Sequence, residues 1–199
     1  TGVVLLVLSA WRGGLNTTAD WLGVSSYPPA ILFAAAILFV ISYSRLNVVK
    51  STLDGSIYHS KVDRPKIHRD MLHEHGSEIF IMSLQGFIFF GTVQNVLERI
   101  RARIADTNHG KLGYIVLDFH RVTHLDSSAV FGITRLKQLA EANNILMVWT
   151  TVTPEIVRNL ELGGLRDSTD ETFVIKPTLD EGVEWCENRI LAKQGMNDL

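Results

Sequence analysis

The chain has 199 residues, a formal net charge of −2 and a mean hydropathy of +0.15. Hydrophobic residues at 46% and charged residues at 20% exclude a disordered chain, and the slightly acidic balance excludes a general nucleic-acid binder, which needs a basic face. The single cysteine, Cys186, excludes an internal disulfide and a cysteine-built zinc cage.

The apolar excess sits at the N-terminal end. Residues 2–11 (GVVLLVLSAW) are too short to span a bilayer, lack the basic start of a signal peptide, and read as the end of a partial helix over 1–11. From Trp21 to Ser44 no Asp, Glu, Lys or Arg occurs in 24 residues. A bilayer core about 30 Å thick needs roughly 20 helical residues, so the run predicts a transmembrane span over 27–44. Tyr27 and Tyr43 suit its interfacial ends, and Pro28 and Pro29 suit its first turn. A buried core helix is the rival reading. Six basic residues against three acidic ones in 45–70 place the downstream side in the cytoplasm and the loop 12–26 outside.

Residues 45–74, mixed and polar with Pro65, read as a linker on the membrane surface. From 75 to 195 the pattern predicts one α/β domain. EIFIMSLQ (78–85) and FIFF (87–90) read as two paired strands around Gly86, followed by a helix with Thr92 as its N-cap. YIVLDF (114–119) and ILMVW (145–149) read as strands buried on both faces, with a helix from Ser127-Ser128 to about Asn143 between them. Thr153-Pro154-Glu155 opens a helix that stops at Gly163-Gly164, FVI (173–175) is a short strand, and Thr178 to Glu181 is a capping box before the last helix. Strands alternating with helices imply a mostly parallel sheet with helices covering it.

Catalytic signatures are missing, and no enzyme is expected. GFIFFG (86–91) has the glycine spacing of a phosphate loop, but Thr92-Val93 replaces the Lys-Ser/Thr that would meet the phosphate. His73 and His75 are two apart, off any common helix face, and no metal site or cofactor is expected. Cys186 reads as an inert core thiol on an apolar stripe. In HLDSSAVFG (124–132) a strand ends at Asp126 and a helix begins at the serines. Asp126 or Ser127 is a candidate N-cap, and a phosphate on Ser127 would sit at the positive end of a helix, opposed by Asp126.

Three segments together, VISYSRLNVVK (40–50), HGSEIFIMSLQGFIFFGT (75–92) and VLDFHRVTHLDSSAV (116–130), resemble the C-terminal part of a sulfate permease (SulP) family anion transporter. In that likeness residues 1–44 are the end of the transmembrane domain, and 75–195 resemble a STAS domain. The resemblance implies secondary active transport of a small anion such as sulfate or bicarbonate, carried out by helices upstream of this chain. It also implies a multi-pass protein of the cell membrane with a cytoplasmic STAS domain for regulation and interaction. The implied partners are the membrane, the remainder of the transporter's membrane domain, a second protomer and a cytosolic regulatory protein; nucleic acid is not among them. A second reading is a signalling protein of anti-sigma-factor-antagonist type. The phosphorylated serine of those proteins matches Ser127, with Ser128 beside it as a further phosphoacceptor, although Ala129 stands where they have glycine. A third is a module that binds a nucleotide, acyl carrier or other small ligand at the helix starts marked by Thr92, Asp126 and Ser127.

Overall fold

The computed structural model describes residues 17, 21, 28–44, 47–106, 109–162 and 173–196. The chain divides into two compact units, Thr1–Leu46 and Asn47–Leu199.

In the first unit the described element is helix α1, Pro28–Ser44. Its two prolines fill the first turn, where no backbone donor is needed. It is apolar on every side, and Phe33, Leu38 and Val40 are exposed. A helix of this kind has no polar face to offer water. Its 17 residues make about 25 Å of helix, short of a bilayer core of about 30 Å. Among the described residues no helix is long and apolar enough to cross a membrane. The span expected over 27–44 is a helix over 28–44, and Tyr27 lies outside the described residues. The partial helix expected over 1–11 lies outside the described residues.

In the second unit a five-stranded sheet runs in the order β1-β2-β3-β4-β5. The strands are β1 (Val49–Asp54), β2 (Ile79–Ile88), β3 (Tyr114–Leu125), β4 (Leu146–Thr150) and β5 (Phe173–Lys176). β1 is antiparallel to β2, and the other neighbours are parallel. The helices are α2 (Lys66–His75), α3 (Phe90–Ala105), α4 (Ser127–Ala142), α5 (Pro154–Leu162) and α6 (Leu179–Lys193).

Successive strand residues face opposite ways, so the sheet builds two cores. Phe80, Met82, Ile115, Leu117, Met147 and Trp149 pack with Val96 and Leu97 of α3, Ile133 and Leu136 of α4, and Ile156 of α5. Ile79, Ile81, Tyr114, Val116 and Val148 face the other way, onto Leu72 of α2 and Val183, Cys186 and Ile190 of α6. Both faces are covered, which is why YIVLDF and ILMVW read as unbroken apolar runs.

Two expectations are corrected. The stretch 45–74 is not a linker: it holds β1 and α2, and β1 pairs with β2 from Val49↔Leu84 to Asp54↔Phe80. Being outermost, β1 needs few apolar side chains, and VKSTLD has only Val49 and Leu53. The second correction concerns Gly86. Residues 78–85 and 87–90 are not two paired strands but one continuous β2, in which Gly86 has φ +73° at a register shift against β3. A positive φ, cheap only for glycine, lets the strand kink and carry on instead of turning back. Phe90, read as strand, is the first residue of α3.

Candidate functional site

β2 and β3 end side by side, Ile88 opposite Leu125, and each hands over to a helix. The Asp126 N–H donates to the Ile88 carbonyl at 3.1 Å, and the Asn159 amide of α5 donates to the Leu125 carbonyl at 2.8 Å. This fixes the starts of α3 and α4 next to each other.

Asp126 is the N-cap of α4. Its Oδ1 accepts from the Ser128 N–H at 2.8 Å, the Ala129 N–H at 3.1 Å and the Ser128 hydroxyl at 2.6 Å. Ser128 Oγ in turn accepts from the Phe90 N–H at 3.0 Å, which ties the first residue of α3 to the first turn of α4. Ser127 is exposed, and among the described residues its hydroxyl has no hydrogen-bond partner. Of the two candidate phosphoacceptors, Ser128 is thus committed to the cap and Ser127 is free.

Thr92 is not the N-cap of α3. That position is Phe89, in extended backbone, and Thr92 lies three residues further on, fully buried. Its hydroxyl accepts from the Phe89 N–H at 3.0 Å and donates to the Phe89 carbonyl at 3.1 Å. A phenylalanine has no side-chain acceptor, so the threonine caps from inside the helix. Helix starts hold anions through free N–H groups. Here the Asp126 carboxylate takes those of Ser128 and Ala129, and Ser128 takes that of Phe90. The converged residues Thr92, Asp126 and Ser128 close the two helix starts instead of presenting them.

Around Ser127 the surface is aromatic. Phe90 and Phe131 are 47% and 73% exposed. Phe87 stacks on Phe89 at 5.7 Å and on His124 at 5.4 Å between ring centres, and His124 Nδ1 lies 3.0 Å from Glu155 Oε1. An exposed cluster of this kind suits protein contact better than chemistry. Sequence reasoning missed it because FIFF was assigned to a strand interior; its three phenylalanines in four residues were the signal.

A second polar cluster lies on α6. Glu187 is 1% exposed, and its carboxylate accepts from the Ser60 N–H at 3.0 Å, the Ser60 hydroxyl and Arg64 Nη2 at 3.2 Å. His59 Nδ1 lies 3.5 Å from it. Nearby, burial above all, and then the charges of Asp180, Asp118 and Glu187, raise the Tyr58 phenol above its ordinary value near 10. Burial also pushes the neighbouring Cys186 thiol far up, with the Glu187 charge adding to it, so the thiolate is suppressed. The signal for this cluster was a carboxylate standing beside the apolar stripe of Val183, Cys186 and Ile190.

Residues 71–182, more than half of the chain, match the family model described as the STAS domain. The chain belongs to the STAS family. The vacuolar basic amino acid transporter VSB1 of Saccharomyces cerevisiae is 26% identical over 168 residues, 80% of this chain and 16% of that protein. The chain thus spans about one sixth of the length of this curated relative. The structure of murine Slc26a9, an anion transporter, is similar with a TM-score of 0.55 at 15% identity, over 88% of this chain and 29% of that one. A sulfate transporter family protein from Wolinella succinogenes matches with a TM-score of 0.48 at 14% identity, over 58% of this chain and 88% of its own. The STAS fold accounts for the β1-to-α6 architecture, and a mostly parallel sheet between two helical layers is what the sequence led us to expect.

Proposed function

We propose that this chain is the C-terminal part of a secondary transporter, with α1 as the end of its membrane domain and the STAS domain as its cytoplasmic module for regulation and interaction. The observation that carries this reading is the order of parts: a helix apolar on every side stands directly before a STAS domain. The likeness to VSB1 extends over 168 residues, well beyond the stretch that matches the STAS family model. A free-standing STAS signalling protein has no use for α1, whose exposed phenylalanine and leucine side chains need lipid or other apolar helices. At 17 residues α1 is short, but the uncharged sequence around it runs for 24, and a bilayer adapts to a short span at modest cost.

The proposed substrate class is a small anion, as in the sulfate permease likeness. VSB1 is named for basic amino acids instead, so uptake assays on the full reading frame should offer sulfate, bicarbonate, lysine and arginine in parallel. The chain alone is not expected to transport or to catalyse. The decisive experiment is alkaline extraction of cell membranes. The intact chain is expected to stay in the pellet and a version starting at Asn47 to move to the supernatant; both in the supernatant overturns the reading. The aromatic surface at Phe90 and Phe131 is the proposed contact for the remaining transporter, a second protomer or a cytosolic regulator.

A further inference from the structure

The chain leaves β1 and comes back towards β2 at one point. The Gly55 N–H donates to the Ile79 carbonyl at 3.0 Å. A Cβ on Gly76 would stand 2.4 Å from the Ser56 nitrogen, and one on Gly55 would stand 2.8 Å from the Gly76 carbonyl oxygen. Residues 56–75, which include α2, are therefore an excursion whose two ends touch. Such a segment can move without dragging either strand with it.

Little apolar surface holds the excursion down. Within 56–75 only His68 and Leu72 are buried, and Tyr58 and Met71 are partly so. His68 Nε2 is buried without a hydrogen-bond partner, which makes its burial costly. Ile57, Val62 and Ile67 are exposed and add nothing to the core. Between the excursion and Glu187 of α6 lies a cavity of about 400 Å³, so the packing there is incomplete.

The remaining attachment is polar and centres on one side chain. The Ser60 N–H, the Ser60 hydroxyl and Arg64 Nη2 all donate to the Glu187 carboxylate, with His59 Nδ1 3.5 Å away. Arg64 Nη1 donates to Asn188 Oδ1 at 2.9 Å, and the Lys61 N–H donates to Asp180 Oδ1 at 3.0 Å. All three acceptors are side chains of α6. Burying Glu187 and Arg64 against each other costs hydration that the pairing largely has to repay. On separation both regain water, so opening is cheap beside unfolding the two cores.

We propose that residues 56–75 form a flap, clasped to α6 through Glu187, that opens as one unit while the sheet and the other helices stay folded. The open form presents Leu72 and the Glu187 carboxylate to water. This opening is independent of any transporter role.

The test is hydrogen exchange of the intact chain in detergent, read on the Lys61 amide, the α2 amides from Asp70 to His75, and Val116 and Leu117 of β3. The Lys61 and α2 amides are expected to share one protection level, about 100-fold or more below β3. Urea is expected to change the flap's protection far less than that of β3, because a local opening exposes little surface. Glu187→Gln, which leaves Arg64 without its counter-charge, is expected to lower protection at Lys61 and in α2 alike, about tenfold. Ser60→Ala is expected to do the same more weakly. Protection of α2 equal to that of β3, with the same urea dependence, overturns the proposal. So does a Glu187→Gln or Ser60→Ala effect that reaches Lys61 but not α2.

Discussion

At the residue scale, the start of α4 separates two serines that look alike in sequence. Asp126 holds three donors, so Asp126→Ala leaves the Ser128 and Ala129 N–H groups without their acceptor. A loss of about 1 kcal/mol is expected, read as a lower melting temperature, whereas Ser127→Ala should leave melting unchanged because its exposed hydroxyl has no partner among the described residues. Tyr58 gives a pH test. Its folded phenol titrates above its ordinary value near 10, first through burial and then through three carboxylates, so the folded state holds the proton longer than the unfolded chain does. The resulting stability is complete below about pH 10 and is lost as pH rises through the folded pKa. Denaturant midpoints of the wild type and Tyr58→Phe, compared between about pH 9 and 11, should show the extra alkaline loss only in the wild type.

At the scale of elements, α3 and α4 cross at Gly132. A Cβ there would sit 1.8 Å from Val93 Cγ1 and 3.1 Å from Val93 Cβ, and Val93 is itself buried. Gly132→Ala should cost roughly 1–3 kcal/mol by overpacking, and pairing it with Val93→Ala should restore part of the loss, as a double-mutant cycle in thermal melts would show. Elements whose signals are local were legible in the sequence. The Thr178 cap is present, with the Glu181 N–H donating to Thr178 Oγ1 at 3.2 Å, and α5 begins at Pro154 as its proline predicts. Elements decided by a distant partner were not. β1 is a strand because β2 offers it a ladder, and it carries no clean hydrophobic period of its own; α2 buries His68 and Leu72, one turn apart, but its stripe is only ten residues long and a histidine holds one of its two buried positions. Gly86 was legible as punctuation, but only the length of β3 decides between a turn and a kink. Of the candidate site, Asp126 and Ser127 could be found from capping rules, while the phenylalanine run and Glu187 were visible only as local oddities, and the partners that make them clusters, such as His124, Ser60 and Arg64, come from distant parts of the chain.

At the scale of the whole molecule, the STAS unit carries its two cores on a sheet whose inner strands are sealed between helices, while α1 is apolar all round, and the proposal of a transporter tail rests on that contrast. Among the described residues the sheet also has two open ends. β1 leaves one side of its ladder unpaired but places Lys50 there, next to a register shift between Val49 and Ser51; β5 has four residues and ends on Lys176. Charge, irregularity and brevity are how natural sheets discourage edge-to-edge growth. If the STAS unit is held at high local density, as the proposed transporter tail would hold it, neighbouring copies can crowd together without zipping into a shared β-ribbon.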